Sequence, residues 1–142
     1  MTAPDSEALI RKYYDAFNRG DVRGMLDCIA EDVVHDVNQG ERRIGKERFH
    51  AFCERAAHHY REQLEDIAVM TSRDGSRAAA EFNVVGTYLV TETGLPEASG
   101  QRYALPAGAF FAVRGGLISR VTTYYNLTDW IMQVSAPGPE GR

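Results

Sequence analysis

The sequence predicts an α+β domain in which helices pack on one face of a bent sheet. Three observations predict it. Apolar residues recur at three- and four-residue spacings up to about residue 60, the helical period, and from residue 63 onward they alternate, the strand period. Turn sequences with an Asp-Gly or Gly-Gly core, Arg73-Asp74-Gly75-Ser76 and Arg114-Gly115-Gly116, join the later segments as in antiparallel strands. No internal repeat or low-complexity block interrupts the chain before the Pro- and Gly-rich end, so one domain over residues 1–134 and a flexible tail over 135–142 are expected.

The first helix has Pro4, Asp5 and Glu7 in an acidic first turn, and Leu9, Ile10, Tyr13, Tyr14 and Phe17 make its wide apolar face. Gly20 ends it, and Asp21 caps a short second helix whose apolar positions are Val22, Met25, Leu26 and Ile29. A strand through Val33-Val34-His35-Asp36-Val37-Asn38-Gln39-Gly40 follows. A polar turn then leads through Ile44-Gly45 into a third helix with Phe49, Phe52, Cys53, Ala56 and Tyr60 on one side. Strands are expected over residues 64–72, 77–91, 101–114 and 117–126. In the second of these Phe82, Val84, Gly86 and Tyr88 alternate with Glu81, Asn83, Val85 and Thr87, giving one apolar and one mixed face. Gly86 marks a point where the sheet bends or a ligand approaches, and Pro106, which cannot donate to a ladder, marks an edge or a bulge. Thr128 caps a final helical turn.

The 142 residues suffice for a substantial core, with 44% hydrophobic and 25% charged residues. A net charge of −4 and a pI near 5.5 give no electrostatic footprint for nucleic acid or an anionic membrane, which points to a small neutral or polar partner. Cys28 and Cys53 sit in helical patterns, no apolar run approaches 18 residues, and no signal peptide is expected. Two reduced thiols in a cytoplasmic protein are expected. No metal is expected, because His58 and His59 diverge by about 100° on a helix and no Cys or carboxylate cluster completes a ligand set.

The most informative local feature is Asp36. It shares a strand face with Val34 and Asn38, and burying a carboxylate without a partner is expensive, so either it faces water or something uses it. Around it, Tyr13-Tyr14-Asp15-Ala16-Phe17-Asn18-Arg19-Gly20-Asp21 and Ile29-Ala30-Glu31-Asp32-Val33-Val34 resemble the opening of ketosteroid isomerase and its relatives. These belong to the nuclear-transport-factor-2-like (NTF2-like) superfamily, with the SnoaL-like polyketide cyclases. The resemblance runs to about Val134. His35-Asp36-Val37-Asn38-Gln39-Gly40, Pro106-Ala107-Gly108-Ala109-Phe110-Phe111 and Tyr124-Tyr125-Asn126-Leu127 look like the ketosteroid-isomerase-related branch.

The resemblance implies a cone-shaped α+β barrel, a curved antiparallel or mixed sheet wrapped around three N-terminal helices. It makes Asp36 the proton-shuttling base and Tyr13 the phenol that hydrogen-bonds a developing enolate, as in ketosteroid isomerase itself. Gly108 stands where that family has a second acid, so half of the oxyanion hole is missing and efficient steroid isomerisation is not expected, whereas Gly108→Asp should raise it. Phe82, Val84, Tyr88 and Phe110 are expected to wall the pocket. Asn38, Gly108, Val121, Thr123 and Tyr125 complete it, and His35 falls on the opposite, outer face. The apolar wall should raise the pKa of Asp36 above about 3.9.

The leading expectation is a small-molecule enzyme of the isomerase, cyclase or dehydratase kind that needs no cofactor and acts on an apolar, polyketide- or steroid-like molecule. The alternatives are a non-catalytic ligand-binding or dimerisation module, and an epoxide hydrolase, which would want two carboxylates flanking an Arg. The mixed face with Asn83, Val85, Thr87 and Leu89, together with the resemblance, implies a homodimer.

Overall fold

The computed structural model describes residues 2–135. Helix α1 (Ala3–Asn18) begins at a capping box in which the Thr2 hydroxyl accepts from the Asp5 N–H and the Asp5 carboxylate accepts from the Thr2 N–H. Asp21 caps α2 (Val22–Leu26). Strand β1 (Ile29–Val37) and the two-residue β2 (Arg43–Ile44) precede α3 (Lys46–His59). Then come β3 (Tyr60–Thr71), β4 (Arg77–Tyr88), β5 (Arg102–Arg114), β6 (Leu117–Tyr125) and α4 (Leu127–Ser135).

The six strands form one mixed sheet in the order β2-β1-β6-β5-β4-β3. The chain crosses from β1 to the far edge through α3, returns as the antiparallel meander β3 to β6, and closes against β1 by a parallel pairing. The sheet curves without closing, matching the expected α+β architecture. Bulges interrupt β1, β3 and β6, and Asp66 takes a positive φ of 55° at the one in β3. Helix α1 packs across β3 and β4 over the small residues Ala78 and Ala80, and Ile10, Tyr14, Phe49, Phe111 and Ile118 sit at the centre of the core.

Several details depart from the sequence reading. β1 begins at Ile29, a position expected in the second helix, and Asn126, not Thr128, caps α4, its Oδ1 accepting from the Asp129 N–H at 3.0 Å. β3 begins at Tyr60 instead of residue 64, because the helical pattern stops at His59. β2 lies in the stretch read as turn, and α4 is a full helix that takes in Ser135; the rest of the expected tail lies outside the described residues. Pro106 lies inside β5, yet the β5–β6 pairing starts only at Ala107, so the strand is locally an edge there. In the 72–77 turn, Gly75 has φ +76° and an added Cβ would come within 2.6 Å of the Thr2 carbonyl oxygen, so glycine is required.

Candidate active site

In β1 it is Val33, His35 and Val37 that face inward, while Asp36 faces out. The Asp36 carboxylate accepts from Arg42 Nε at 2.8 Å and Nη2 at 3.0 Å, and from the Thr122 hydroxyl at 2.9 Å. Asn38 and Gln39, with φ of 52° and 62°, turn the chain back so that Arg42 can reach it. Arg42 therefore holds the Asp36 carboxyl below the usual range, against an opposing contribution from burial; the expected upward shift is corrected. The expected alternation holds with its two faces exchanged. A neutral imidazole packs between aromatic rings at lower cost than an unpartnered carboxylate, and outside Asp36 gains three charge-assisted bonds.

A cavity of about 650 Å³ lies between the concave sheet and the helices. Of the candidate site residues, Tyr13, Phe82, Val84, Thr123 and Tyr125 line it. Five other expected pocket residues do not. Asn38 spends its Oδ1 on the Tyr125 backbone N–H at 2.8 Å. Tyr88 is fully buried behind Tyr60 and Trp130, donating its hydroxyl to the Pro96 carbonyl at 2.7 Å. Gly108 and Phe110 lie on the outer face of β5, because Leu105 and Ala107 take the cavity side. Val121 is buried in the core beside Phe111. An acid at position 108 would emerge opposite Glu81 on the outer face, so Gly108→Asp would not supply the missing donor.

The carboxylate that does line the cavity is Glu62, and it is the one acid among the described lining residues. The early start of β3 puts Tyr60, Glu62 and Leu64 on its inner face. Glu62, Gly86 and Tyr103 are directly paired across three adjacent strands. A Cβ on Gly86 would fall 2.4 Å from Tyr103 Cζ, so the tyrosine ring lies over the bare glycine and donates its hydroxyl to Glu62 Oε2 at 2.5 Å. The close approach at Gly86 is thus made by a neighbouring side chain. Trp130 packs edge-on against Tyr103 at 5.7 Å and Tyr60 at 5.9 Å. It is held there because Gln133 on α4 pairs with both the N–H and the C=O of Ala104, at 3.0 and 2.9 Å.

Burial raises the Glu62 pKa, and the Tyr103 bond partly opposes the rise. The Tyr103 and Tyr125 hydroxyls are both shifted upward, first by burial and then by Glu62. A carboxylate made more basic in an apolar pocket, with one oxygen fixed by a phenol, can accept a proton from carbon. Tyr13, buried against Tyr14 and Phe111, is a phenol on the same cavity wall. The signal for Glu62 was present in the sequence: Tyr60, Glu62 and Leu64 set an acid between apolar neighbours at strand spacing, the same criterion that singled out Asp36. Placing residue 60 in the helix hid it.

Among the described residues no group of three or more His, Cys, Asp or Glu is arranged to hold a metal ion, and none of their helices is long and apolar enough to cross a membrane. Cys28 and Cys53 are free, and burial pushes the Cys53 thiol up to about 12, which leaves it unreactive at neutral pH.

Asp36 has a testable structural role. Its folded pKa lies below the ordinary 3.8, so its bonds stabilise the fold above that value and cease to as pH falls through the lowered one. Asp36→Asn is therefore expected to lower the melting temperature at pH 7, with the difference from wild type shrinking below pH 3.8 in circular-dichroism melts.

No curated protein matches the sequence. Among solved structures, a provisionally assigned polyketide cyclase from Xanthomonas campestris pv. campestris is 52% identical, with a TM-score of 0.92 over 95% of this chain and 100% of that one. Two others with the same provisional assignment are each 56% identical with a TM-score of 0.91. One, from Pseudomonas putida KT2440, covers 95% of this chain and 99% of its own; the other, from Silicibacter sp. TM1040, covers 96% and 99%. A model of the SnoaL-like domain matches residues 10–121, and the chain belongs to the SnoaL-like family within the NTF2-like fold.

Proposed function

We propose that this protein is a small-molecule enzyme of the cyclase or isomerase kind, in which Glu62 moves a proton at a carbon next to a carbonyl. The observation that carries the reading is a carboxylate of raised pKa, hydrogen-bonded by Tyr103, in an otherwise largely apolar cavity. Glu62 Oε1, free of Tyr103, takes the proton; the electron pair of the C–H bond passes into the carbonyl, and a cavity phenol, Tyr13 or Tyr125, donates to the enolate oxygen. Return of the proton to a different carbon isomerises the substrate, and attack of the enolate carbon on a second carbonyl closes a ring, the new alkoxide taking back the proton that Glu62 holds. The polyketide-cyclase assignment of the relatives at 52–56% identity favours the second outcome. An epoxide hydrolase would need a second carboxylate beside Glu62, and the lining residues offer none.

The test is deuterium incorporation into 2-tetralone, an enolisable two-ring ketone, followed by proton NMR in D₂O. The protein is expected to accelerate exchange at the carbons beside the carbonyl above the buffer rate. Exchange no faster than in buffer, with binding of the ketone demonstrated by calorimetry, would favour the non-catalytic binding module.

We also propose a homodimer. Phe110 and Tyr124 stand on the outer face of β5 and β6, 50% and 40% exposed and packed edge-on at 6.0 Å. Leu89, expected on that face, lines the cavity instead, so the aromatic pair is the better anchor. Sedimentation velocity at micromolar concentration is expected to give a dimer, with an interface of about 1,200 to 2,000 Å²; Phe110→Glu should shift it to monomer.

A further inference from the structure

His35 reaches the cavity wall from β1, which lies four strands away from β3 and Glu62 in the sheet order. Its residue is 4% exposed, and its Nδ1 is the one buried side-chain nitrogen or oxygen among the described residues with no hydrogen-bond partner. Buried polar groups are nearly always paired, and an unpaired one on a residue that lines a cavity calls for a partner that the protein itself does not supply. Phe49 and Phe52 meet the ring edge-on at 5.0 and 4.7 Å and fix its plane. Burial first, and then the nearby Arg43 guanidinium, lower the imidazole pKa to about 4, against a smaller opposing pull from Asp36, so the ring is uncharged at neutral pH.

A neutral imidazole offers one donor and one acceptor. A half-turn about Cβ–Cγ exchanges its nitrogen and carbon edges without changing its shape, so either edge can be presented to the cavity. A hydroxyl, which donates and accepts, matches such a ring in either tautomer. A carboxylate or carbonyl only accepts and so fits only the tautomer that puts its proton on the presented nitrogen, and a carboxylate would besides have to be buried as a charge.

We propose that His35 is a specificity residue at the part of the cavity wall formed by β1, and that it recognises a hydroxyl on an uncharged ligand whose reacting carbonyl lies at Glu62. The carbonyl part of this description rests on the reading of Glu62 given above; the hydroxyl part rests on His35 alone.

The test is calorimetric binding of 6-hydroxy-2-tetralone and of 2-tetralone to wild type, His35→Phe and Glu62→Gln. Wild type is expected to bind the hydroxylated ketone about three- to tenfold more tightly, the worth of one hydrogen bond. His35→Phe keeps the ring's bulk and removes both nitrogens, so the preference should fall to near unity, while Glu62→Gln should retain it. Nitrogen-15 NMR of the wild-type protein gives a readout that needs no variant: the His35 ring resonances should move with 6-hydroxy-2-tetralone and stay in place with 2-tetralone. Equal affinity of wild type for the two ketones, absence of binding by the hydroxylated one, a preference surviving in His35→Phe, or unmoved ring resonances would overturn the assignment. Loss of the preference in Glu62→Gln would also overturn it, by placing the recognition at Glu62. A preference that depends on His35 in a protein that accelerates no deuterium exchange would sink the Glu62 reading and uphold this one.

Discussion

Glu62→Gln is expected to slow deuterium exchange into 2-tetralone by about 10²- to 10⁴-fold, the usual worth of a positioned base. The amide keeps the shape and can still accept the Tyr103 hydrogen bond, and it removes the basic oxygen. The pH profile carries the same information. Burial raises the Glu62 pKa above its ordinary 4.5, so the acid limb of kcat/KM should lie above that value. Tyr103→Phe removes the bond that opposes the rise and should move the limb to still higher pH. Stability should change in the opposite sense to activity. With its folded pKa raised, Glu62 favours the protonated native state, and stability drains away as pH climbs from 4.5 through the folded value. Gln does not titrate, so Glu62→Gln should melt higher than wild type at pH 8, with the gain vanishing near pH 4. A variant that exchanges as fast as wild type would remove Glu62 from the chemistry. Asp36→Asn is the control, since its carboxylate is committed to Arg42 and Thr122 on the outer face, and its exchange rate should match wild type.

Gly86→Ala is expected to disable the site without touching a reacting atom. The new methyl would meet Tyr103 Cζ, hydroxyl and Cε2 at 2.4 to 2.6 Å, and the ring cannot withdraw freely because Trp130 packs against it. Overpacking of this kind costs about 1 to 3 kcal/mol. The displaced hydroxyl would leave Glu62, so the acid limb should shift upward as in Tyr103→Phe. A double-mutant cycle isolates the cause: in a Tyr103→Ala background, Gly86→Ala should cost little further stability or activity. An undiminished penalty there would mean that Gly86 serves the backbone and not the tyrosine.

Much of this molecule was legible from spacing. The change of period near residue 60, the Asp-Gly and Gly-Gly turns and the alternating face of β4 follow from side-chain direction along helix and strand, which depends only on the local chain. They were enough for the α+β class and the family resemblance. The boundary between α3 and β3 was not legible. Tyr60 satisfies the helical pattern of Phe49, Phe52 and Ala56 as well as the strand pattern of Glu62 and Leu64, and pairing with Tyr88 on β4 resolves the tie.

By itself the sequence determined that His35 and Asp36 lie on opposite faces of one strand, because neighbouring side chains in an extended chain must point apart. Only the tertiary structure decided which of the two is inside. The partners that settle it are distant in sequence or brought round by a turn: Thr122 and Arg42 to solvate a carboxylate on the outside, Phe49 and Phe52 to enclose a neutral ring on the inside. The same holds for the site as a whole. Glu62, Gly86 and Tyr103 are isolated letters along the chain, and they become one hydrogen-bonded unit because the β3–β4–β5 register sets them side by side and curvature turns them toward a common cavity.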